Sequence, residues 1–266
     1  MAPPRRGLLS QNFLWNRRLV DQLVRASSIS PRDLVLEIGP GRGILTQALL
    51  QVAASVVAVE LDEKLCLLLC EKLSRYTNLA LVQGDWLTMR LPQAPYKVFS
   101  SIPYHHTGDI IRKLLQADVP PADCYLVVQS EAAAKYCVHD RRNSLAALLY
   151  YPWWDIGIVH HFQRADFVPT PGVDSVLLQI MRRETPLVDP RQKAAYQDYV
   201  VYRLGRDKRS KDETPGRFLS GFRSFIEGSS HHQLEVIQGS FARLQEQQRH
   251  LRKIHRTRTD PHWKKY

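Results

Sequence analysis

A glycine-rich turn between a predicted strand and a predicted helix constrains the fold of this chain more than any other stretch. Leu34–Ile38 is a short apolar run, typical of a buried strand, and residues 44–52 have the apolar periodicity of a helix. Gly39, Gly41 and Gly43 lie between them. Glycines let the backbone approach a ligand closely and leave the N–H groups of a helix N-terminus open to it. The sequence therefore predicts a ligand-binding strand–turn–helix unit, with a glycine turn that binds nothing as the alternative.

An acidic residue follows at the end of the next predicted strand. Glu60 comes after the apolar run 55–59, at the place where a carboxylate accepts both ribose hydroxyls in nucleotide-binding α/β sheets. A dinucleotide site would have its third glycine one residue later than Gly43. With Glu37 in front of the turn, the pattern favours S-adenosylmethionine (SAM) over a dinucleotide.

Two further predicted strands also end in polar or aromatic residues. The strand 78–83 leads into Asp85 and Trp86, and the strand 96–101 ends at Ser101. Strands alternate with helical patterns along residues 34–182, which predicts a doubly wound, Rossmann-like α/β sheet with helices on both faces. Ligands bind such sheets at the carboxyl ends of the strands. Four residues are therefore expected in one crevice: Gly39, Glu60, Asp85 and Ser101.

The stretch Ser101-Ile-Pro-Tyr104 is the predicted centre of the chemistry. Pro103 fixes its own φ and biases Ile102 toward an extended conformation. A hydroxyl, a backbone carbonyl and an aromatic face then lie within a few ångströms of one another. This combination suits a nucleobase whose exocyclic amine must be held still. The alternative is a strand end with a proline turn and a packing tyrosine.

The charge of the chain is concentrated in its last third. The formal net charge is +11, and residues 182–266 hold 19 basic and 10 acidic residues. After Pro190 the pattern becomes helical. We therefore expect a catalytic domain over 1–184 and a small, basic, all-helical domain over 185–266. The excess charge favours nucleic acid as a partner, with a merely soluble basic surface as the alternative.

Several other classes of protein are disfavoured. No apolar run has the roughly 18–20 residues that a membrane span needs, and the first residues lack the apolar stretch of a signal peptide. The four cysteines form no Cys-x-x-Cys pair, so the sequence predicts neither a zinc site nor a disulfide framework. His105 and His106 have no third ligand at a suitable spacing. We expect a cytoplasmic monomer without metal.

Four motifs together resemble one family. They are Gln11-Asn-Phe-Leu14, Glu37-Ile-Gly-Pro-Gly-Arg-Gly43, Ser101-Ile-Pro-Tyr104 and Phe167-Val-Pro-Thr-Pro-Gly-Val-Asp-Ser175. Their order and spacing resemble the ribosomal RNA adenine N6-methyltransferases, the KsgA/Dim1/Erm superfamily, over residues 10–182. The resemblance implies a SAM-dependent enzyme whose partner is ribosomal RNA.

The resemblance also implies a role for each matching residue. Glu60 would bind the ribose of SAM, Leu61 would pack on its adenine, and Asp85 with Trp86 would hold the adenine edge. The remaining cofactor-binding residues would be Gln11, Asn12, Leu14, Gly39, Gly41 and Ser101. The target adenosine would be received by Ser101, Ile102, Pro103 and Tyr104, with Phe167 as the second face of an aromatic sandwich.

One position departs from the family pattern. The family usually has Asn where this chain has Ser101, whose hydroxyl is shorter than an amide. Because the Ile102 carbonyl belongs to the backbone, we expect activity to persist. Whether one or two methyl groups are added stays open.

Within the superfamily the chain looks more like the Erm branch. The features are Tyr151-Pro152-Trp153-Trp154, the late Phe167 motif followed by Arg182-Arg183, and the short tail domain. This branch implies N6-methylation of an adenosine in 23S rRNA and resistance to macrolides, lincosamides and streptogramin B. Three alternatives remain: a KsgA/Dim1-type 16S rRNA dimethyltransferase, a nucleic-acid-binding transcription factor on the same fold, and a DNA adenine methyltransferase.

Overall fold

The computed structural model describes residues 12–250, so the prediction for Gln11 and the basic tail after residue 250 lie outside the described residues. The chain divides into two compact units. Within the described part, the first unit comprises the residues up to Cys137 together with Trp154–Glu184, and the second comprises Val138–Trp153 and the residues from Thr185 onward.

The first unit contains all of the strands found in residues 12–250. They are β1 (Phe13–Leu14), β2 (Leu34–Ile38), β3 (Ser55–Glu60), β4 (Leu79–Gln83), β5 (Lys97–Ser101), β6 (Asp123–Gln129), β7 (Trp154–His161), β8 (Phe167–Val168) and β9 (Ser175–Arg182).

Helices occur in both units. They are α1 (Arg17–Ala26), α2 (Ile44–Leu49), α3 (Glu63–Lys72), α4 (Thr107–Leu115), α5 (Ser130–Ala133), α6 (Leu145–Tyr150), α7 (Lys193–Arg206), α8 (Pro215–Gly228), α9 (His231–Ile237) and α10 (Ser240–His250).

Seven of the strands form one sheet in the order β4-β3-β2-β5-β6-β9-β7. The strands from β4 to β6 are parallel, whereas β9 runs antiparallel to both β6 and β7. The predicted Rossmann-like α/β sheet is confirmed. The chain first builds outward from β2 through β3 to β4 and then returns to β5 on the other side of β2. A ligand crevice is expected at this reversal, beyond the carboxyl ends of β2 and β5.

A buried serine joins β2 to β5 where their backbone ladder stops. The register of the two strands ends at Leu36 opposite Val98. Beyond it the Ser100 hydroxyl accepts a hydrogen bond from the Ile38 N–H at 3.1 Å and donates one to the Ile38 carbonyl at 2.6 Å. A hydroxyl can do both because it is donor and acceptor at once. Ser100 thus fixes the spacing of the two strand ends that carry the predicted site.

Most predicted elements lie within a few residues of the observed ones, and the starts of α3 and α4 differ in how they are capped. Asp62 accepts hydrogen bonds from the N–H groups of Lys64 and Leu65 and so caps the start of α3. Thr107, the first residue of α4, does not cap that helix. The residue before α4 is His106, and the Thr107 hydroxyl donates instead to the Tyr104 carbonyl at 2.9 Å.

The second unit has its own apolar core. Leu148 and Leu149 of α6 belong to the same buried cluster as Tyr196 of α7 and Phe222 of α8. The Tyr196 hydroxyl donates to the Leu148 carbonyl at 2.9 Å. Residues 138–153, which the sequence assigned to the catalytic domain, therefore group with the C-terminal helices because the apolar face of α6 is buried among them. One boundary between the two units falls after Glu184.

Candidate active site

A crevice with about 630 Å³ of empty space, part of it open to solvent, lies at the carboxyl ends of β2 and β5. Three stretches of the chain meet there. The lining residues are Asn12, Phe13, Leu14, Glu37, Gly39, Pro40, Arg42, Ile44, Leu45, Ser101, Ile102, Pro103 and Tyr104.

The glycine turn has a conformation that side chains would not tolerate. Gly41 has a φ of 57°, and a Cβ built on it would lie 2.5 Å from Cε1 of Phe13. Gly43 has a φ of 77°, and its Cβ would lie 2.5 Å from Cδ2 of Leu69. Glycine is needed at both positions, because left-handed backbone and close contact coincide. The turn is thereby packed between Phe13 on one side and α3 on the other.

Glu60 holds the backbone of this turn. Its Oε2 accepts a hydrogen bond from the Gly41 N–H at 3.0 Å, and its Oε1 accepts one from the Asp62 N–H at 3.0 Å. The side chain is buried, with 1% of its surface exposed, and it does not line the crevice. Each carboxylate oxygen has a second lone pair. The predicted contact with a ribose stays a prediction, and in this structure Glu60 shapes the turn.

Glu37 helped to favour SAM in the sequence pattern, but the sequence predicted no contact for its side chain. It lines the crevice with 1% of its surface exposed, and within the described chain its Oε2 has no hydrogen-bond partner. Burial raises the pKa of Glu37 to about 8, and the negative charge of Glu60 acts in the same direction. A buried carboxylate oxygen without a partner is costly. It therefore suits a cationic group of a ligand that enters the crevice.

The Ser101-Ile-Pro-Tyr104 stretch also lines the crevice. Ser101 and Tyr104 are half-buried, while the Ile102 side chain is buried. The Tyr104 hydroxyl lies 2.6 Å from the hydroxyl of Ser175, the first residue of β9. Burial raises the pKa of Tyr104, which therefore keeps its proton near neutral pH. The structure thus brings this stretch together with Asn12, Leu14 and Gly39.

The predicted adenine-binding residues lie outside the lining of the crevice. Asp85 is exposed, and its Oδ1 accepts from the Leu87 N–H at 2.8 Å. Leu61 is exposed as well. Trp86 is buried, so its ring presents no open face to a ligand. Their contacts with an adenine stay predictions, and for Trp86 only backbone groups remain available in this conformation.

A lysine of α4 fastens the loop that carries Asp85 and Trp86. Lys113 donates from Nζ to the carbonyl oxygens of Trp86 at 2.6 Å and Leu87 at 3.0 Å, and also to that of Met89. The same Nζ lies 5.3 Å from the centroid of the Trp86 ring. Burial lowers the pKa of Lys113. Nothing in the sequence pattern pointed to this contact, because α4 and the loop are not neighbours in the chain.

The ring of Phe167 is not placed as the sequence predicted. Its ring is 1% exposed and packs edge-on against Phe162, with 5.4 Å between the ring centroids. β8 pairs antiparallel with β1, so that Phe167 lies opposite Leu14 and both side chains enter the core. The face expected to stack on the adenosine is therefore covered in this structure.

Two absences concern other kinds of site. Within residues 12–250 no group of three His, Cys, Asp or Glu side chains is arranged to hold a metal ion. Over the same residues no helix is long and apolar enough to cross a bilayer. All four cysteines are free.

Comparisons with known proteins agree with the motifs. A model of the family described as ribosomal RNA adenine dimethylase matches residues 5–212. The ribosomal RNA small subunit methyltransferase A of a Nostoc species is 36% identical, over 72% of this chain and 77% of its own length. The rRNA adenine N-6-methyltransferase of Bacillus licheniformis is 31% identical, over 73% of this chain and 68% of its own length.

A solved structure agrees in fold and sequence. The 23S rRNA methyltransferase ErmE superposes with a TM-score of 0.67 at 32% identity, covering 71% of this chain and 77% of ErmE. A dimethyladenosine transferase from Plasmodium falciparum shares the fold, with a TM-score of 0.61 at 24% identity. The chain therefore belongs to the ribosomal RNA adenine dimethylase family of SAM-dependent methyltransferases.

Proposed function

We propose that this protein methylates N6 of an adenosine in ribosomal RNA, and that 23S rRNA is its substrate. The observation that carries the proposal is the single crevice shared by the glycine turn and the Ser101-Ile-Pro-Tyr104 stretch. One end of this crevice suits the methyl donor and the other suits the base. A methyl transfer needs both in contact, and holding two reactants in line supplies much of the rate enhancement.

The cofactor end fits the amino-acid part of SAM. SAM brings a sulfonium-activated methyl group and a positively charged ammonium group. The buried, unpartnered oxygen of Glu37 suits that ammonium group, and Gly39 leaves room for close approach of the backbone. Glu60, Leu61, Asp85 and Trp86 are the residues proposed for the adenosine part.

The base end fits an adenine that has left its stack. Unstacking costs a few kcal/mol, and stacking on the Tyr104 ring offsets roughly 1–3 kcal/mol of it. The Ile102 carbonyl and the Ser101 hydroxyl would accept hydrogen bonds from the exocyclic amine. These acceptors orient the amine and favour a pyramidal nitrogen, whose lone pair is then free to react. Ser101 in place of the usual Asn leaves the number of methyl groups to be measured.

The known relatives support two different ribosomal RNAs as the substrate. Similarity to ErmE at 32% identity supports 23S rRNA. The 36% identity to a small-subunit methyltransferase supports 16S rRNA as the second candidate. Methylation of 23S rRNA would take place in the cytoplasm and would protect ribosomes from macrolides, lincosamides and streptogramin B.

The basic helical unit would hold the RNA backbone. Residues 182–266 carry 19 basic against 10 acidic residues, and RNA binding through phosphates weakens steeply with salt. A protein that binds nucleic acid without catalysis would share this property. The substitution of Ser101 for Asn is the one observation that favours such a protein.

The proposal is tested with SAM that carries a labelled methyl group. Protein-free 23S rRNA, protein-free 16S rRNA and small-subunit particles are offered separately, and the labelled nucleotide is mapped. Label in one adenosine of 23S rRNA is the expected result. Label confined to 16S rRNA or small-subunit particles would assign the second candidate. Normal SAM and RNA binding without any label would favour the binding protein.

A further inference from the structure

Trp15 exposes more of its surface than any other tryptophan or phenylalanine in residues 12–250. Its exposed fraction is 59%, whereas Trp86 and Trp154 are buried. An indole contributes more than other side chains to stacking and interface energy. An isolated exposed aromatic needs no explanation, so its fixation, position and surroundings decide whether it forms a site.

The Trp15 ring is fixed to the protein rather than loosely attached. Its Nε1–H donates to the Ala165 carbonyl, and its backbone N–H donates to the Asp166 carbonyl at 3.1 Å. The one polar atom of the indole is therefore satisfied by the protein itself. More than half of the surface of Trp15 remains exposed, and stacking on it costs little conformational entropy because the ring is already held.

The position of Trp15 places it beside the crevice. Trp15 directly follows β1, and the hydrogen bond from its N–H to the carbonyl of Asp166, the residue before β8, extends the pairing by one residue. The alternation of side chains along a strand would then place Trp15 on the same face as Phe13. Phe13 and Leu14, the two residues before Trp15, both line the crevice, and the Leu14 side chain is also buried in the core. Two residues along a strand span about 6.6 Å, which is close to the spacing of neighbouring nucleotides in an extended RNA strand.

Phe13, two residues before Trp15, has an apolar neighbour and a positive charge beside it. Val168 lies opposite Phe13 in the β1–β8 ribbon and is 48% exposed. The guanidinium carbon of Arg42 lies 5.4 Å from the centroid of the Phe13 ring, and Arg42 itself lines the crevice. An aromatic platform next to a cation is the combination that binds single-stranded nucleic acid by stacking and phosphate contact.

We propose that the exposed face of the β1–β8 ribbon binds the nucleotide next to the target adenosine, which stacks on Trp15 while Arg42 attracts the adjoining phosphate. The inference rests on the proposed function and adds a residue that holds the RNA strand once the target base has left its stack. Trp15 acts on substrate affinity and takes no part in the methyl transfer itself.

The test compares Trp15→Ala, Trp15→Phe and, as a control, Leu67→Ala, whose side chain is exposed on α3. The measurements are KM for a short substrate RNA, kcat, and Kd for SAM. Loss of stacking predicts that Trp15→Ala raises the KM for RNA about tenfold. The expected kcat at saturating RNA and the SAM Kd are unchanged, and Trp15→Phe retains most of the affinity. An unchanged KM in Trp15→Ala, or a fall in SAM affinity equal to the loss in RNA affinity, would overturn the inference.

A direct readout separates this inference from the proposed function. Each of a set of short single-stranded RNAs carries 2-aminopurine at a different position, and its fluorescence is followed as protein is added. Quenching by the natural protein that disappears in Trp15→Ala supports the stacking contact, whether or not methyl transfer is observed. Equal quenching in both proteins refutes it. Absence of methylation in the natural protein would refute the proposed function alone.

Discussion

The hydroxyl of Tyr104 lies 2.6 Å from the hydroxyl of Ser175, which joins two motifs 71 residues apart in the chain. Tyr104 begins a short 3₁₀ helix after β5, and Ser175 is the first residue of β9. Ser175 is buried, so the hydrogen bond fixes the phenol at its far end. The ring that is proposed to stack on the adenosine is thereby held at both ends, by the backbone and by Ser175.

This pair predicts graded effects on turnover. Tyr104→Phe keeps the ring and loses a hydrogen bond of about 0.5–1.5 kcal/mol, so we expect a loss of kcat/KM for RNA of a few-fold. Ser175→Ala should have a similar effect, and the double variant should lose little more than either alone, because both changes remove the same bond. Tyr104→Ala should lose a further tenfold or more, since stacking contributes roughly 1–3 kcal/mol. SAM affinity serves as the control and should hardly change. Additive losses in the double variant would show that the bond does not position the ring.

Glu37 predicts a pH dependence of stability. Burial raises its pKa from an ordinary value of 4.5 to about 8. Between these two values the folded protein keeps a proton that the unfolded chain has released, so stability falls as the pH rises through this window. Glu37→Gln removes the titrating group. The Tm of the variant minus the Tm of the natural protein should therefore become more positive from pH 5 to pH 8. A constant difference over this range would contradict the raised pKa.

Glu37 also predicts a proton exchange on cofactor binding. A cationic group next to its carboxylate lowers the pKa, so SAM binding near pH 7.5 should release a proton. Calorimetry in two buffers with different ionisation enthalpies measures this release. We expect it to disappear in Glu37→Gln, with weaker SAM binding. Equal proton release in both proteins would assign the proton to another group.

Gly41 of the glycine turn predicts a loss of stability on substitution that Gly157 of the sheet does not share. Gly41→Ala places a Cβ 2.5 Å from the Phe13 ring at a φ of 57°. The left-handed backbone alone costs about 1–2 kcal/mol for alanine, and Phe13 must also move away from the turn. A Cβ on Gly157 of β7 would meet nothing within 4 Å, so Gly157→Ala is the matched control. Chemical denaturation should show a loss for Gly41→Ala alone, together with weaker SAM binding. Equal losses in both variants would show that the packing of Phe13 on the turn is unimportant.

Lys113 predicts a link between α4 and cofactor binding. Lys113→Met keeps the length of the side chain and removes the donor shared by the Trp86, Leu87 and Met89 carbonyls. Hydrogen bonds from a charged donor contribute about 1.5–3 kcal/mol, so stability should fall by an amount of this order. SAM affinity should fall several-fold if the loop carries adenine-binding residues. Arg112→Met, on the exposed side of the same helix, is the control. Normal SAM affinity in Lys113→Met would remove this loop from the cofactor site.

The sequence predicted the sheet and one wall of the site because the signals there are local. Leu34–Ile38 is an uninterrupted apolar run, and the three glycines of the turn require backbone conformations that few other residues adopt. The Ser101-Ile-Pro-Tyr104 stretch was recognisable for the same reason, since a proline fixes where the strand ends.

The features that the sequence did not predict depend on contacts between distant residues. β1 and β8 are two residues long, too short for any periodicity, and they pair across some 150 residues of chain, which buries Phe167. Glu37 reads as an ordinary acidic residue, and only the structure shows that its Oε2 lies buried without a partner. The segment 138–153 precedes β7 in sequence, but the apolar face of α6 is buried among helices that come later in the chain.

The most direct test of the central claim is to identify the modified nucleoside. Ribosomal RNA methylated by the protein with labelled SAM is digested to nucleosides, which are separated and weighed by mass spectrometry. A crevice that holds an adenine amine against a methyl donor predicts label in N6-methyladenosine or N6,N6-dimethyladenosine, and its loss in Tyr104→Ala while SAM still binds. Label in another nucleoside, or undiminished label in Tyr104→Ala, would contradict the assignment of this crevice to adenosine.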